Sequence, residues 1–234
     1  MNRRAVRTVC RLLGASITLV LSLHQPAAAA VEAVTDQPKP GNYCPGANVM
    51  MITAEELSAG LDQTMRSRAA LIGGDRTMAR SELASVGTTL RLAASRGGAA
   101  RTMLLVDAIV QSRTGENYAQ MLTWFPMLHR SLMTLPRDAP VVAADDLIGH
   151  AEQIMQGDIV GNAFHSLSEA RHMLACDGLD IPLQAALQAQ NNLMKQFDRI
   201  TKHSAYDSLI DALRSALEFV LGGNGSSPAV REAG

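Results

Sequence analysis

HAEQIMQGDIVGNAFHSLSEARHML, residues 150–174, is the stretch from which the fold is read. It divides at Gly157-Asp158 into two helical segments. Glycine at 157 suits the left-handed residue that ends a helix, because it has no Cβ to clash. Aspartate at 158 suits the cap of a following helix, because its carboxylate accepts the free N–H groups of a first turn. Beyond the turn, Ala163, Leu167, Ala170 and Leu174 are spaced 4, 3 and 4, one apolar stripe at helical period. The stretch predicts two antiparallel helices joined by a very short turn.

The same grammar occurs 84 residues earlier. Ala79, Leu83, Val86 and Leu90 follow Gly73 at the four offsets at which the later stripe follows Gly157. Gly74-Asp75 supplies the turn, with one residue inserted. The two copies lie too far apart for a tandem array with a period of about 34 residues. Two or three hairpins in a single bundle fit better, with small Ala and Gly side chains letting helices approach closely. The predicted fold class is therefore all-α, a bundle of antiparallel helical hairpins with short Gly-Asp turns.

Working outward, Thr53 with Glu56 three residues on reads as a capping box that opens a helix ending at Gly73. Leu57, Leu61, Thr64, Arg68 and Leu71 lie near one face of it. Asp75 starts its partner, which runs to about residue 94, before Gly97-Gly98. Residues 103–110 (MLLVDAIV) fit either a buried helix or a strand. After a break at 112–115, residues 117–134 look helical, but Pro126 should kink or divide them. Further helices are expected over 143–156, 159–175, 182–200 and 205–221. Asp145-Asp146 reads as a helix start, Asp180 and Ser204 as caps, Pro182 as a first-turn residue and Gly222 as a stop.

The ends of the chain have a different character. Arg3, Arg4, Arg7 and Arg11 precede the apolar run at 12–23, and Ala28-Ala29-Ala30 follows it. This is the layout of a signal peptide over 1–30, cleaved after Ala30 or alternatively near Ala33. The run is too short for a spanning helix. Arg3-Arg4 also raises twin-arginine export, although the flanking residues match that signal poorly. Pro38, Pro40, Gly41, Pro45 and Gly46 mark 31–52 as a flexible linker, the helical domain covers 53–221, and the Gly/Ser-rich 222–234 reads as a disordered tail.

Loss of the four leader arginines takes the formal net charge from −1 to −5. A mildly acidic exported chain has no electrostatic reason to bind nucleic acid or anionic lipid. Eight aromatic residues are too few for base- or sugar-stacking platforms. Cys10 lies in the leader, which leaves Cys44 and Cys176. In an oxidising compartment they can pair as a disulfide closing a long loop; the alternative is two free thiols.

One polar constellation stands out. His165, Glu169, His172 and Cys176 fall within about 60° of one another, opposite the apolar stripe. Imidazole, carboxylate and thiolate can ligate zinc or copper, although one helix rarely gives one ion more than two or three ligands. The same positions also read as a solvated face on which Glu169 pairs with both histidines. His165 and His172 are pH-sensing candidates as well, among five histidines left after processing (the others His129, His150 and His203). Met121, Met127, Met133, Met155, Met173 and Met194 can fill a core or offer an adaptable apolar surface. No nucleophile elbow, zinc-protease motif or phosphate loop is present in a convincing context.

Ala151-Glu152, Ile154-Met155, Gly157-Asp158, Gly161, Ala163, Leu167, Ala170, Pro182-Leu183, and Tyr206 with Ala212-Leu213, in that order, resemble the YfdX family of exported bacterial proteins. Ala70-Leu71, Gly74-Asp75 and the residues 79–83 also fit. The resemblance spans 53–221, is carried mainly by the C-terminal half, and leaves 99–140 with its Trp124-Phe125-Pro126 outside the pattern. It implies a periplasmic, mostly helical protein tied to acid and other stress, with no established enzymatic activity, no cofactor and no catalytic residues to carry over. The expected function is non-enzymatic, a binding or chaperone-like role toward stressed envelope proteins or small molecules, with homo-oligomers a possibility. The alternative is a metal- or small-molecule-binding module on the His165/Glu169/His172 face.

Overall fold

The computed structural model describes residues 38–112 and 117–222, all within one compact unit. The expected signal peptide, most of the break at 112–115 and the tail from 223 lie outside the described residues. The chain is all-α: among the described residues the one β feature is an isolated antiparallel bridge between Asn42 and Cys176. The helices are α1 (Ala47–Ile72), α2 (Arg76–Ala94), α3 (Gly98–Gln111), α4 (Tyr118–Leu122) and α5 (Phe125–Leu132). They continue as α6 (Ala139–Gln156), α7 (Ala163–Met173), α8 (Asp177–Gln196) and α9 (Asp207–Leu221), with 3-10 turns at Phe197–Arg199 and His203–Tyr206.

Two hydrophobic cores form. The first joins α1, α2, α8 and α9 around Leu57, Leu83, Leu90, Leu183, Phe197 and Leu213. The second joins α3 to α7 around Val106, Phe125, Leu128, Ile148, Leu167 and Leu174. Both stripes read from the sequence go where they should. Ala79, Leu83, Val86 and Leu90 are fully buried in the first core, and Ala163, Leu167, Ala170 and Leu174 in the second. The undecided run at 103–110 is helix, inside α3.

The inner face of α1 is partly polar. Thr53, Leu57, Gly60, Thr64 and Ser67 are buried, while Leu61 and Leu71 pack at its margin. Arg68 turns outward toward Asp207 at 3.6 Å. The hydroxyls are satisfied locally: Thr53 donates to the Val49 carbonyl at 2.8 Å and Thr64 to the Gly60 carbonyl at 2.7 Å. Ser67 donates to the Ala79 carbonyl at 2.7 Å and lies 2.8 Å from the Tyr206 hydroxyl, tying α1 to α2 and to the turn before α9. Burial pushes the Tyr206 phenol above its ordinary range, against the Ser67 hydrogen bond and the Arg76 charge.

The two Gly-Asp junctions behave differently. Gly74 and Gly157 both take left-handed backbone, with φ of 84° and 86°. The next N–H reaches back to close the preceding helix, Asp75 to Ala70 at 2.9 Å and Asp158 to Gln153 at 3.0 Å. Asp75 also caps α2, accepting from the Met78 N–H at 2.9 Å. Contrary to the sequence expectation, Asp158 does not cap α7. Asn162 does, accepting from the His165 N–H at 3.2 Å, so residues 158–162 form an open loop and not a two-residue turn. The reason lies in the following residues: β-branched Ile159 and Val160 with Gly161 start a helix poorly, whereas Arg76, Thr77 and Met78 lead straight into one.

Other boundaries move for similar local reasons. α1 starts at Ala47, so Thr53 sits inside it and Glu56 pairs with Arg96 instead of closing a capping box. Asp138, not Asp145-Asp146, caps α6, accepting from the Val141 N–H at 3.4 Å, with Pro140 in the first turn. Pro126 divides 117–134 as expected, opening α5 after a one-turn α4. α8 starts at Asp177, which leaves Pro182 inside the helix; Asp180 accepts the Cys176 N–H at 2.8 Å from within the first turns. A 3-10 turn, with no Ser204 side-chain cap, leads into α9.

The expected linker is also held in place over its described part. Cys44 and Cys176 form the disulfide. Gly41 N–H donates to the His172 carbonyl at 2.8 Å, Tyr43 N–H to Ala175 at 2.9 Å, and Asp177 N–H to Gly41 at 2.8 Å. Residues 40–46 thus lie as a strap across the connection between α7 and α8.

Candidate functional site

The constellation read from the sequence does not assemble. His165 faces Glu169 at 3.3 Å, both well exposed. His172 turns instead to Asp177, at 3.2 Å, because α7 ends at Met173 and the strap crosses beside it. Cys176 is buried and bound to Cys44, so its sulfur is no ligand. His165, Glu169 and His172 therefore do not converge on one ion, and among the described residues no three His, Cys, Asp or Glu side chains do.

A better-built site lies between α5 and α6. Pro126 starts α5, and Phe125, Leu128 and Leu132 anchor its inner face in the second core. That anchoring leaves His129 and Met133 on the side toward α6. On α6, Asp145 and Glu152 are two turns apart and share a face. His129 sits between them, Nδ1 3.4 Å from Asp145 and Nε2 3.1 Å from Glu152. Glu152 also accepts from Gln156 at 3.4 Å, and Arg137 reaches Asp145 at 3.8 Å. The imidazole is about one-third exposed.

Beside this polar cluster, Leu132, Met133, Val141 and Val142 line a groove of ≈350 Å³ that also takes in His129, Arg137 and Asp145. Its apolar rim is open to water: Met133 is 82% exposed and Val142 41%. Met127 on α5 adds a further exposed thioether. Such a groove can hold an apolar side chain or a small amphiphile, with charge at one end and methyl and thioether groups along the rest. Sequence reasoning missed it as a site. In the sequence His129 and Met133 stand apart from any pattern, and the one local signal is the two-turn spacing of Asp145 and Glu152. Their meeting with α5 depends on tertiary packing.

Asp180 has the most perturbed surroundings of the described carboxylates. Burial raises its carboxyl above the ordinary range, the Cys176 N–H and Arg171 pull it back, and Asp177 adds to the rise. It lines a small cavity of ≈20 Å³ under the strap, room for about one water and too little for a ligand.

No described helix is long and apolar enough to cross a membrane. Comparison with known proteins gives no significant match to a family model, a curated protein or a solved structure.

Proposed function

We propose that this chain is an exported, non-enzymatic binding protein with a chaperone-like role in envelope and acid stress, a function of the kind the YfdX resemblance implies. The observation that carries the proposal is the α5–α6 groove, an open apolar trough bordered by a histidine between two carboxylates. Methionine suits such a surface because its thioether is polarizable and its side chain repacks around varied partners. The Cys44–Cys176 disulfide suits an oxidising compartment such as the periplasm. The polar border of the groove, where His129 meets Asp145 and Glu152, ties α5 to α6.

The test is aggregation suppression by the purified mature chain on a denatured reference protein, from neutral to acid pH. The expected result is suppression that strengthens on acidification. No suppression at any pH contradicts the reading.

A second reading has its own support. The groove volume falls in the range of small-ligand sites, about 300–1,000 Å³. A small apolar anion bound there would displace a fluorescent amphiphile stoichiometrically, which an extended protein client would not do.

A further inference from the structure

The two cores meet at a seam that the strap crosses. Each of the tightly packed helix pairs lies within one bundle or the other: α1 with α2 and α9, α8 with α9 and α2, then α6 with α7 and α4, α3 with α5 and α7. Two short links carry the chain between bundles, residues 95–97 after α2 and 174–176 after α7. The cavity under the strap lies on this seam. Ala93, Leu179 and Leu183 reach it from the first core, and Met103 and Leu174 from the second. Tyr43 and Pro45 of the strap close it from outside.

The strap touches both sides. Tyr43 packs against the second core and Cys44 against the first. Apart from one bond within the strap and one to the start of α1, its backbone bonds go to residues 172–177, the link from α7 to α8. Beyond residue 46 it runs directly into α1. The disulfide therefore joins the root of the first bundle to the joint of the second, and the loop it closes contains every helix of the second bundle. Gly41 completes the fit. Its φ is 76°, and a Cβ there would run into the Asp177 carboxylate that His172 holds.

We propose that residues 40–46 are a redox-released clasp: reduction of Cys44–Cys176 by an external dithiol frees the strap and lets the bundles part at the seam while each keeps its own core. Cys44 is the partly exposed residue of the pair and Cys176 the buried one, so a thiolate of the reductant attacks Cys44 Sγ. The S–S bond breaks and Cys176 leaves as a thiolate that takes up a proton. The second thiol of the reductant then attacks the mixed disulfide and releases Cys44. Two electrons pass to the protein, which gains two thiols, and the reductant departs as its own disulfide.

The experiment is hydrogen exchange of the full mature chain, oxidised and after reduction with dithiothreitol, with free thiols counted. Exchange is expected to quicken at least tenfold in residues 38–46, 93–103 and 172–183, while 57–90 and 141–155 stay protected; reoxidation restores the pattern. Unchanged protection at the seam in fully reduced protein overturns the proposal, and so does simultaneous loss in every helix. Gly41→Ala keeps both sulfurs but disturbs the strap. It should speed exchange at the seam and make the disulfide easier to reduce; a variant that matches the parent in both overturns the clasp as well.

Discussion

The two bundles solve the same packing problem differently. In the first, α1 and α2 are long, their turn is a single Gly-Asp step, and hydroxyls at Thr64 and Ser67 are satisfied inside the bundle. In the second, five helices share the work, three of them of eleven residues or fewer, and the α6–α7 connection is an open loop. Long continuous rods leave few gaps between them. Short segments with proline-set starts, such as α5, leave edges uncovered, and the ≈350 Å³ groove is one such edge. The contrast assigns stability to the first bundle and accessible surface to the second.

The largest expected effect separates the cores. Leu83→Ala in the first and Leu167→Ala in the second each remove a fully buried side chain. Each should cost about 2–5 kcal/mol in urea unfolding. Hydrogen exchange should quicken first in the bundle that carries the substitution. Equal loss in both bundles for either variant would merge the two cores into one cooperative unit.

A smaller effect tests the two junctions. Asp75→Ala and Asn162→Ala each remove a side-chain cap and should cost about 1 kcal/mol. Asp158→Ala removes no cap and should change stability by less than about 0.5 kcal/mol. A reversed order for Asn162 and Asp158 would restore the short turn that the sequence suggests.

That junction also shows where legibility ends. Both apolar stripes, the all-helical class, the division at Pro126 and the Cys44–Cys176 pairing are readable from spacing and residue chemistry, since each depends on local period or on a single pair. Asn162 was within reach too, because the β-branched residues after Asp158 argue against an immediate helix start. The His165/Glu169/His172 cluster failed for a different reason. Helical spacing puts them on one face, but the strap takes His172 toward Asp177, and no local pattern announces the strap. The α5–α6 groove was illegible for the same reason: His129 and its two carboxylates are brought together only by packing.

The smallest effect is a pH dependence at the joint. The folded-state carboxyl of Asp180 is raised, so the folded chain keeps a proton that the unfolded chain has lost. Its contribution to stability is therefore present below the ordinary aspartate range and is lost as pH rises through the raised value. Asp180→Asn should flatten this part of the stability profile and be more stable than the parent at neutral pH. A variant whose profile parallels the parent's would remove Asp180 from the account.

The placement of binding on the second bundle is tested most directly by putting a charge on one bundle at a time. Met133→Asp alters the groove rim, and Met65→Asp alters an exposed methionine on α1, 44% accessible against 82% for Met133. Both variants should fold, and only Met133→Asp should lose aggregation suppression. Equal activity in the two variants, or a loss confined to Met65→Asp, would contradict the account.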